Sequence, residues 1–241
     1  MNDYIAPRIG TVGFDGPADR TFATLSLLEY QESFRGVPSA KVLGRLRRRA
    51  GDAFSFVLRA SCAVTHAGEA SSRGISLGYQ PDGRLPAQPL DTGELGQRAW
   101  DWTLGTARSL GASAIFLQLP ASFRPTAENR RRLSDFTERL GGVEERLIWD
   151  FQGLWSLDDL RAASRELRLV PTYDPLLEED TIEGAAYLRV LGRARGQHGL
   201  SADELSCIAD AALTTVEPMI ALNTPAPFRD ARACSKLLSG G

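Results

Sequence analysis

The 241-residue chain is almost without lysine: all but Lys41 and Lys236 of its 28 basic residues are arginine. GC-rich coding explains that bias as well as any function does, and a thermophile signal would be Lys and Glu enrichment instead. Histidine is equally scarce, with only His66 and His198. The three cysteines, Cys62, Cys207 and Cys234, are scattered and show no Cys-x-x-Cys spacing. This poverty of soft ligands argues against a zinc or iron–sulfur centre, and an odd set of thiols fits a reducing compartment. The opening "MNDYIAPRIG" has neither a basic segment nor an apolar core, so no signal peptide is expected. No apolar run approaches membrane-spanning length. With a net charge of −2, no global field steers the chain toward nucleic acid or a membrane surface. A cytosolic protein without a membrane partner is expected.

Hydrophobic residues make up 43% of the chain, enough for a real core. Short apolar runs alternate with helical patterns, as in an α/β fold with parallel strands. The strands are predicted at Arg8–Phe14, Ala23–Tyr30, Phe54–Ala60, Ala112–Pro120, Arg146–Phe151, Leu167–Asp174, Ala185–Gly192 and Glu217–Asn223. The first two are so close that the helix between them must be short or missing. Ser39 caps a helix with Val42, Leu43 and Leu46 facing inward, and a later helix carries Trp100, Leu104 and Ala107 on one stripe. Thr126 starts another, with Leu133, Phe136 and Leu140 on its apolar face. Ser156–Asp159 and Ser201–Glu204 have the form of helix starts, and Ala231–Leu238 is the final helix. The Gly-, Pro- and Ser-rich stretch Gly68–Gly93 reads as a long excursion with a hairpin near Pro81–Gly83. Eight strands with intervening helices and no linker predict a single-domain (β/α)8 TIM-type barrel.

Active sites of such barrels lie at the C-terminal strand ends and the loops beyond them. In chain order the polar residues there are Thr11, Glu29, Arg59, His66, Gln118, Asp150, Gln152, Asp174, Arg189 and Asn223. Glu29, Asp150 and Asp174 could act as general acids or bases, or hold a Mg²⁺ or Mn²⁺ ion through oxygen. They could equally cap helices or pair with Arg59 or Arg189, since ion-pair networks imitate active sites. The two arginines present forked donors suited to carboxylate or phosphate. His66 is a plausible proton carrier or a hydrogen-bonded structural residue. Cys62 is expected to pack as a small apolar side chain, and His198 to sit in an exposed turn. The Gly10–Gly13 spacing lacks a following helix of useful length, so no dinucleotide cofactor is predicted. The basic clusters Arg45, Arg47, Arg48, Arg49 and Arg130, Arg131, Arg132 read as solvated helix faces without interleaved aromatics.

The series "RIGTVGF", "LLEYQESFRGVP", "FSFVLRASCAVTH", "AIFLQLPASF", "LIWDFQGLW", "YDPL", "YLRVLGR" and "IALN" resembles the domain-of-unknown-function-72 family (DUF72, YecE-like) over nearly the whole chain. The resemblance implies a TIM barrel and no agreed activity. Family-type positions are matched by Gly10, Thr11, Gly13, Glu29, Phe34, Pro38, Thr65, His66, Gln118, Pro120, Phe123, Asp174, Arg189, Gly192 and Asn223. Departures concentrate at the mouth. Arg35 stands for the usual Tyr, Arg59 for a basic residue that is commonly Lys, and Leu191 for the seventh-strand His. Thr224 replaces the second Asn of the eighth strand. The Glu-x-Arg-His of the fifth strand is Asp150, Phe151, Gln152, Gly153, with Trp155 one place early. By this resemblance the chain is a divergent, shortened member with a remodelled site.

Three readings follow. An enzyme or former enzyme would act on an anionic or phosphorylated substrate. Glu29, Asp174, His66 and Asp150 would supply acid–base groups, and Arg59, Arg189, Gln118, Gln152, Asn223 and Thr11 would bind. A binding protein would hold a small anionic ligand or a nucleic-acid backbone without turnover. An interaction scaffold would use the same polar groups only to satisfy one another.

Overall fold

A computed structural model describes residues 6–67, 84–139, 143–151, 155–177, 185–191 and 198–239. Gln152, and residues 68–83 of the expected excursion with its hairpin, lie outside the described residues, as does Leu140. The strands are β1 (Arg8–Val12), β2 (Leu27–Tyr30), β3 (Ser55–Arg59), β4 (Ala114–Leu119), β5 (Arg146–Phe151), β6 (Val170–Tyr173), β7 (Tyr187–Val190) and β8 (Met219–Leu222). They form one closed parallel barrel in chain order. The helices among the described residues are α1 (Ala18–Thr24), α2 (Ala40–Ala50), α3 (Cys62–Thr65), α4 (Glu94–Leu110), α5 (Ala127–Arg139), α6 (Leu157–Leu167), α7 (Ala202–Leu213) and α8 (Pro227–Ser239). The expected (β/α)8 fold with a short first helix is the observed one. None of these helices is long and apolar enough to cross a membrane.

Backbone contacts gather the chain into two compact units. One comprises Met1–Tyr30, Arg48–Val57 and Val170–Gly241; the other comprises Gln31–Arg47 and Leu58–Leu169. In the first, β2, β1, β8 and β7 pair side by side. The register rows join Leu27, Gly10, Ala221 and Arg189 across all four strands. Gly10 is obligatory there, because a Cβ would lie 1.7 Å from the Leu27 carbonyl oxygen. Phe22 packs edge-on against Phe14, Phe54 and Phe56 and anchors α1. In the second unit β4 and β5 pair over their whole length. Ile115, Phe116, Ile148 and Trp149 are fully buried, and burying each stabilises the fold by about 1.5–3 kcal/mol. The Trp149 indole donates to Ser164 Oγ of α6 at 3.1 Å, which satisfies the buried N–H.

Three local expectations need correcting. The second strand starts at Leu27 rather than Ala23, because Leu25 N donates to Thr21 O and closes α1 over the preceding residues. Val42 is 45% exposed, so the inward stripe of α2 is carried by Leu43. The sixth strand starts at Val170, because α6 runs through Leu167 and ends on Arg168 in the left-handed conformation (φ 55°). Both Ser-headed capping boxes are present, at Ser156–Asp159 and Ser201–Glu204.

Candidate functional site

Alternation along β2 puts Leu27 and Glu29 on one face, and along β7 it puts Tyr187 and Arg189 on one face. Glu29 is fully buried and Arg189 nearly so. The two meet fork to fork: Arg189 Nε donates to Glu29 Oε2 at 3.0 Å and Arg189 Nη2 donates to Oε1 at 3.2 Å. Tyr187 donates its hydroxyl to Oε2 at 2.5 Å. The arginine reaches this carboxylate over Ala221 and Gly10, whose side chains are small or absent. This bidentate, charge-assisted geometry is the strongest kind available to the pair. Of the two readings of Arg189, the pairing with an acid is the contact seen here.

Asp174 follows β6 and is buried, but its carboxylate serves backbone: Oδ2 accepts from Leu191 N at 2.8 Å and Oδ1 from Leu176 N at 3.0 Å. Burial pushes its carboxyl above the usual range, opposed by those two N–H groups and the Arg189 charge. Thr11 does not stand with Glu29. Its register partners are Leu28 and Leu222, on the other face of the sheet. Its hydroxyl donates to Gly13 O at 2.7 Å, shaping the turn after β1, where Gly13 has φ 73°. Asn223, just after β8, is exposed and is tied by its N–H to Val190 O.

In the other unit the polar residues do form a connected cluster. Arg59, the last residue of β3, donates from Nη1 to Gln31 Oε1 at 2.8 Å and from Nη2 to Gln118 Oε1 at 2.5 Å. Gln118 passes the chain on, its Nε2 donating to Asp150 Oδ2 at 3.1 Å; the two are register partners on β4 and β5. The Arg59 guanidinium lies 3.7 Å from the centroid of the Phe34 ring, a cation–π contact. The His66 ring meets that same phenyl edge to face at 5.2 Å, and its Nδ1 is 2.9 Å from Thr65 Oγ1. Arg59, Gln118, Asp150 and His66 are all partly exposed, unlike the fully enclosed Glu29. Cys62 is buried beside them, and burial raises its thiol pKa against the opposing charges of Arg35 and Arg59. It packs as a small buried side chain, as expected. Among the described residues no three His, Cys, Asp or Glu side chains cluster as a metal site would require.

Tyr187, Gln31 and Asp230 were not among the expected residues. Tyr187 was legible, being two residues before Arg189 and so on the same face. Asp230 was hidden because the last helix starts at Pro227 and not at Ala231. Its buried carboxylate accepts from Thr224 Oγ1 (2.6 Å), Leu200 N (3.2 Å) and Arg229 Nη2 (3.0 Å). TIM barrels often bind phosphate near the eighth strand; here the chain's own carboxylate takes those donors. Of the arginine clusters, Arg49 pairs with Asp19, Arg130 with Asp159 and Arg132 with Glu128, as solvated faces do.

The family profile described as "Protein of unknown function DUF72" matches residues 21–225. The chain belongs to the DUF72 family. No curated protein matches it. Among solved structures, a DUF72 family protein from Enterococcus faecalis V583 is 14% identical with a TM-score of 0.73, covering 98% of each chain. A DUF72 family protein from Thermotoga maritima MSB8 is 15% identical with a TM-score of 0.69, covering 98% of this chain and 100% of that one. The 3-keto-D-glucoside 4-epimerase from E. coli is similar at 13% identity and a TM-score of 0.57, covering 97% and 99%. At these identities the likeness is one of fold, and fold does not carry function.

Proposed function

We propose that this DUF72 member is an enzyme that takes a small anionic substrate at the C-terminal ends of β3, β4 and β5, with Arg59 as the anion contact. The observation that carries the reading is the setting of Arg59. It is partly exposed at a strand end, laid flat on Phe34 and fixed by the amide oxygens of Gln31 and Gln118. Neither amide bears a charge, and their bonds orient the guanidinium at the strand end. Such a pre-oriented fork suits a carboxylate or phosphate. His66 is the candidate proton carrier, because imidazole exchanges protons near neutral pH and its ring shares the Phe34 platform with Arg59. Asp150 and Gln118 are the orienting groups beside them. Glu29 and Arg189 brace the fold in this reading and take no part in binding.

The test is thermal unfolding and calorimetric titration with phosphate, sugar phosphates, nucleotides and dicarboxylates, for wild type and Arg59→Gln. A ligand at a hundredfold its Kd stabilises the native state by about 2.7 kcal/mol. Loss of a charged hydrogen bond costs about 1.5–3 kcal/mol, so the best anion should bind at least about tenfold more weakly to the variant. An anion that binds both proteins equally would move the site away from Arg59. His66→Ala should then abolish turnover of that anion while leaving its affinity intact; unchanged turnover would remove His66 from the chemistry.

A further inference from the structure

An open groove of about 640 Å³ runs between α1 and α8 and is lined by Arg20, Arg229, Arg232 and Lys236. Three of these cations lie on α8 at spacings of three and four residues, which puts them on one side of the helix. They therefore rise by about 4.5 and about 6 Å along it. Elsewhere on the surface Arg49, Arg130 and Arg132 are each matched by a carboxylate. Here Arg20 has Asp15 at 3.8 Å and Arg229 has Asp230 at 3.0 Å, but Arg232 and Lys236 have no carboxylate partner among the described residues. Thr24, Ser235 and Ser239 line the same groove, and the Ser239 hydroxyl donates to Ser235 O at 2.8 Å.

Phe228 is the groove's aromatic residue, and it is no stacking platform. Its ring is covered by the Arg20 guanidinium at 4.0 Å and is 8% exposed. The contact instead holds Arg20 flat, so that the cation from α1 is fixed opposite those of α8. A single-stranded nucleic acid would call for exposed rings beside the charges, and the chain's net charge of −2 provides no wider attraction. A volume within the usual range for small-molecule sites suits a compact ligand.

We infer that the groove between α1 and α8 is an anion site, built from residues other than the Arg59 cluster, that takes a compact ligand carrying two or more phosphate groups. Paired Arg20 and Arg229 lie at its end nearest the start of α8, and Arg232 and Lys236 supply the two charges that the ligand neutralises. The Asp230 carboxylate keeps the anion off the first turn of α8 and directs it along the helix side.

The experiment is calorimetric titration of sodium tripolyphosphate, in magnesium-free buffer at low salt, into wild type, Arg232→Ala/Lys236→Ala and Arg59→Gln. Both groove side chains are exposed, so the double variant should unfold at the wild-type temperature. Expected is binding to wild type, weakening by about tenfold or more in the double variant, and undiminished binding to Arg59→Gln. Silence with wild type, or equal binding to the double variant, overturns the inference. Loss confined to Arg59→Gln also overturns it and leaves the Arg59 reading standing. A short single-stranded DNA is the second probe. If it binds more tightly than tripolyphosphate, with the same dependence on Arg232 and Lys236 and a steep salt slope, the groove tracks a nucleic-acid backbone and the compact ligand is refuted.

Discussion

Glu29→Gln removes one charge from a place that water does not reach. Three donors, Arg189 Nε, Arg189 Nη2 and the Tyr187 hydroxyl, converge on the two oxygens of Glu29. An amide offers one oxygen and one NH₂, so at least one of those donors would face another donor. The larger effect is electrostatic: Arg189 is 6% exposed and would be left as a buried cation without its counter-charge. Breaking a buried pair from one side costs about 3–5 kcal/mol. At about 2.1 cal/mol/K per residue, unfolding this 241-residue chain carries an entropy of about 0.5 kcal/mol/K. The variant should therefore melt about 6–10 °C lower, read by calorimetry and checked by urea unfolding. Glu29→Gln/Arg189→Met removes both charges and should cost less than Glu29→Gln alone, since an apolar replacement of the whole pair is often neutral. A loss below about 1 kcal/mol for Glu29→Gln, or a gain, would refute the bracing reading and make Glu29 a strained, working carboxylate.

Two further outcomes test the same frame. Burial raises the Asp174 carboxyl pKa in the native state, so the native form holds that proton more tightly than the unfolded chain does. Its stabilising contribution is then complete below about pH 3.9, the unfolded value, and is lost as pH rises through the raised native value. Wild type should gain stability relative to Asp174→Asn as the pH is lowered through that window; a flat or opposite slope in paired unfolding titrations would refute it. Gly10→Ala puts a Cβ 1.7 Å from backbone that cannot swing aside. It should cost at least the upper part of the ~1–3 kcal/mol range for overpacked sites, and a wild-type urea midpoint would show that β1 and β2 can separate there.

What was legible in the chain is what depends on local pattern. The apolar run Arg146–Phe151 is a strand from end to end, and the Ser156 and Ser201 boxes cap helices, because period and cap chemistry act within a few residues. Arg59, Gln118 and Asp150 were recognisable as polar residues at the ends of apolar strands. Their joining into one hydrogen-bonded chain was not, since it depends on pairing between segments 32 and 59 residues apart. The Glu29–Arg189 bond was less accessible still: each residue was in view, yet a partner 160 residues away is chosen by barrel closure. The separation of Thr11 from Glu29 follows from strand parity: Thr11 lies next to the end of β1, on the face opposite the one that Glu29 occupies.

The buried pair also bears on why the two arginines differ in use. A fork-to-fork contact forms only if β2, β1, β8 and β7 hold a common register, because a slip of one residue turns Glu29 or Arg189 to the other face. The pair thus favours one alignment of four strands more strongly than apolar side chains of similar volume would, which is the service a buried ion pair can give when its net stability is small. Gly10 and Ala221 belong to the same device, since side chains of ordinary size at those row positions would separate the two charges. An arginine locked in this way has no freedom to follow a ligand. Arg59 is held by amides and an aromatic face at the edge of solvent, where an incoming anion can meet it. The division between a register lock and an anion contact rests on where each guanidinium sits, enclosed with a carboxylate in one case and at a partly exposed strand end in the other.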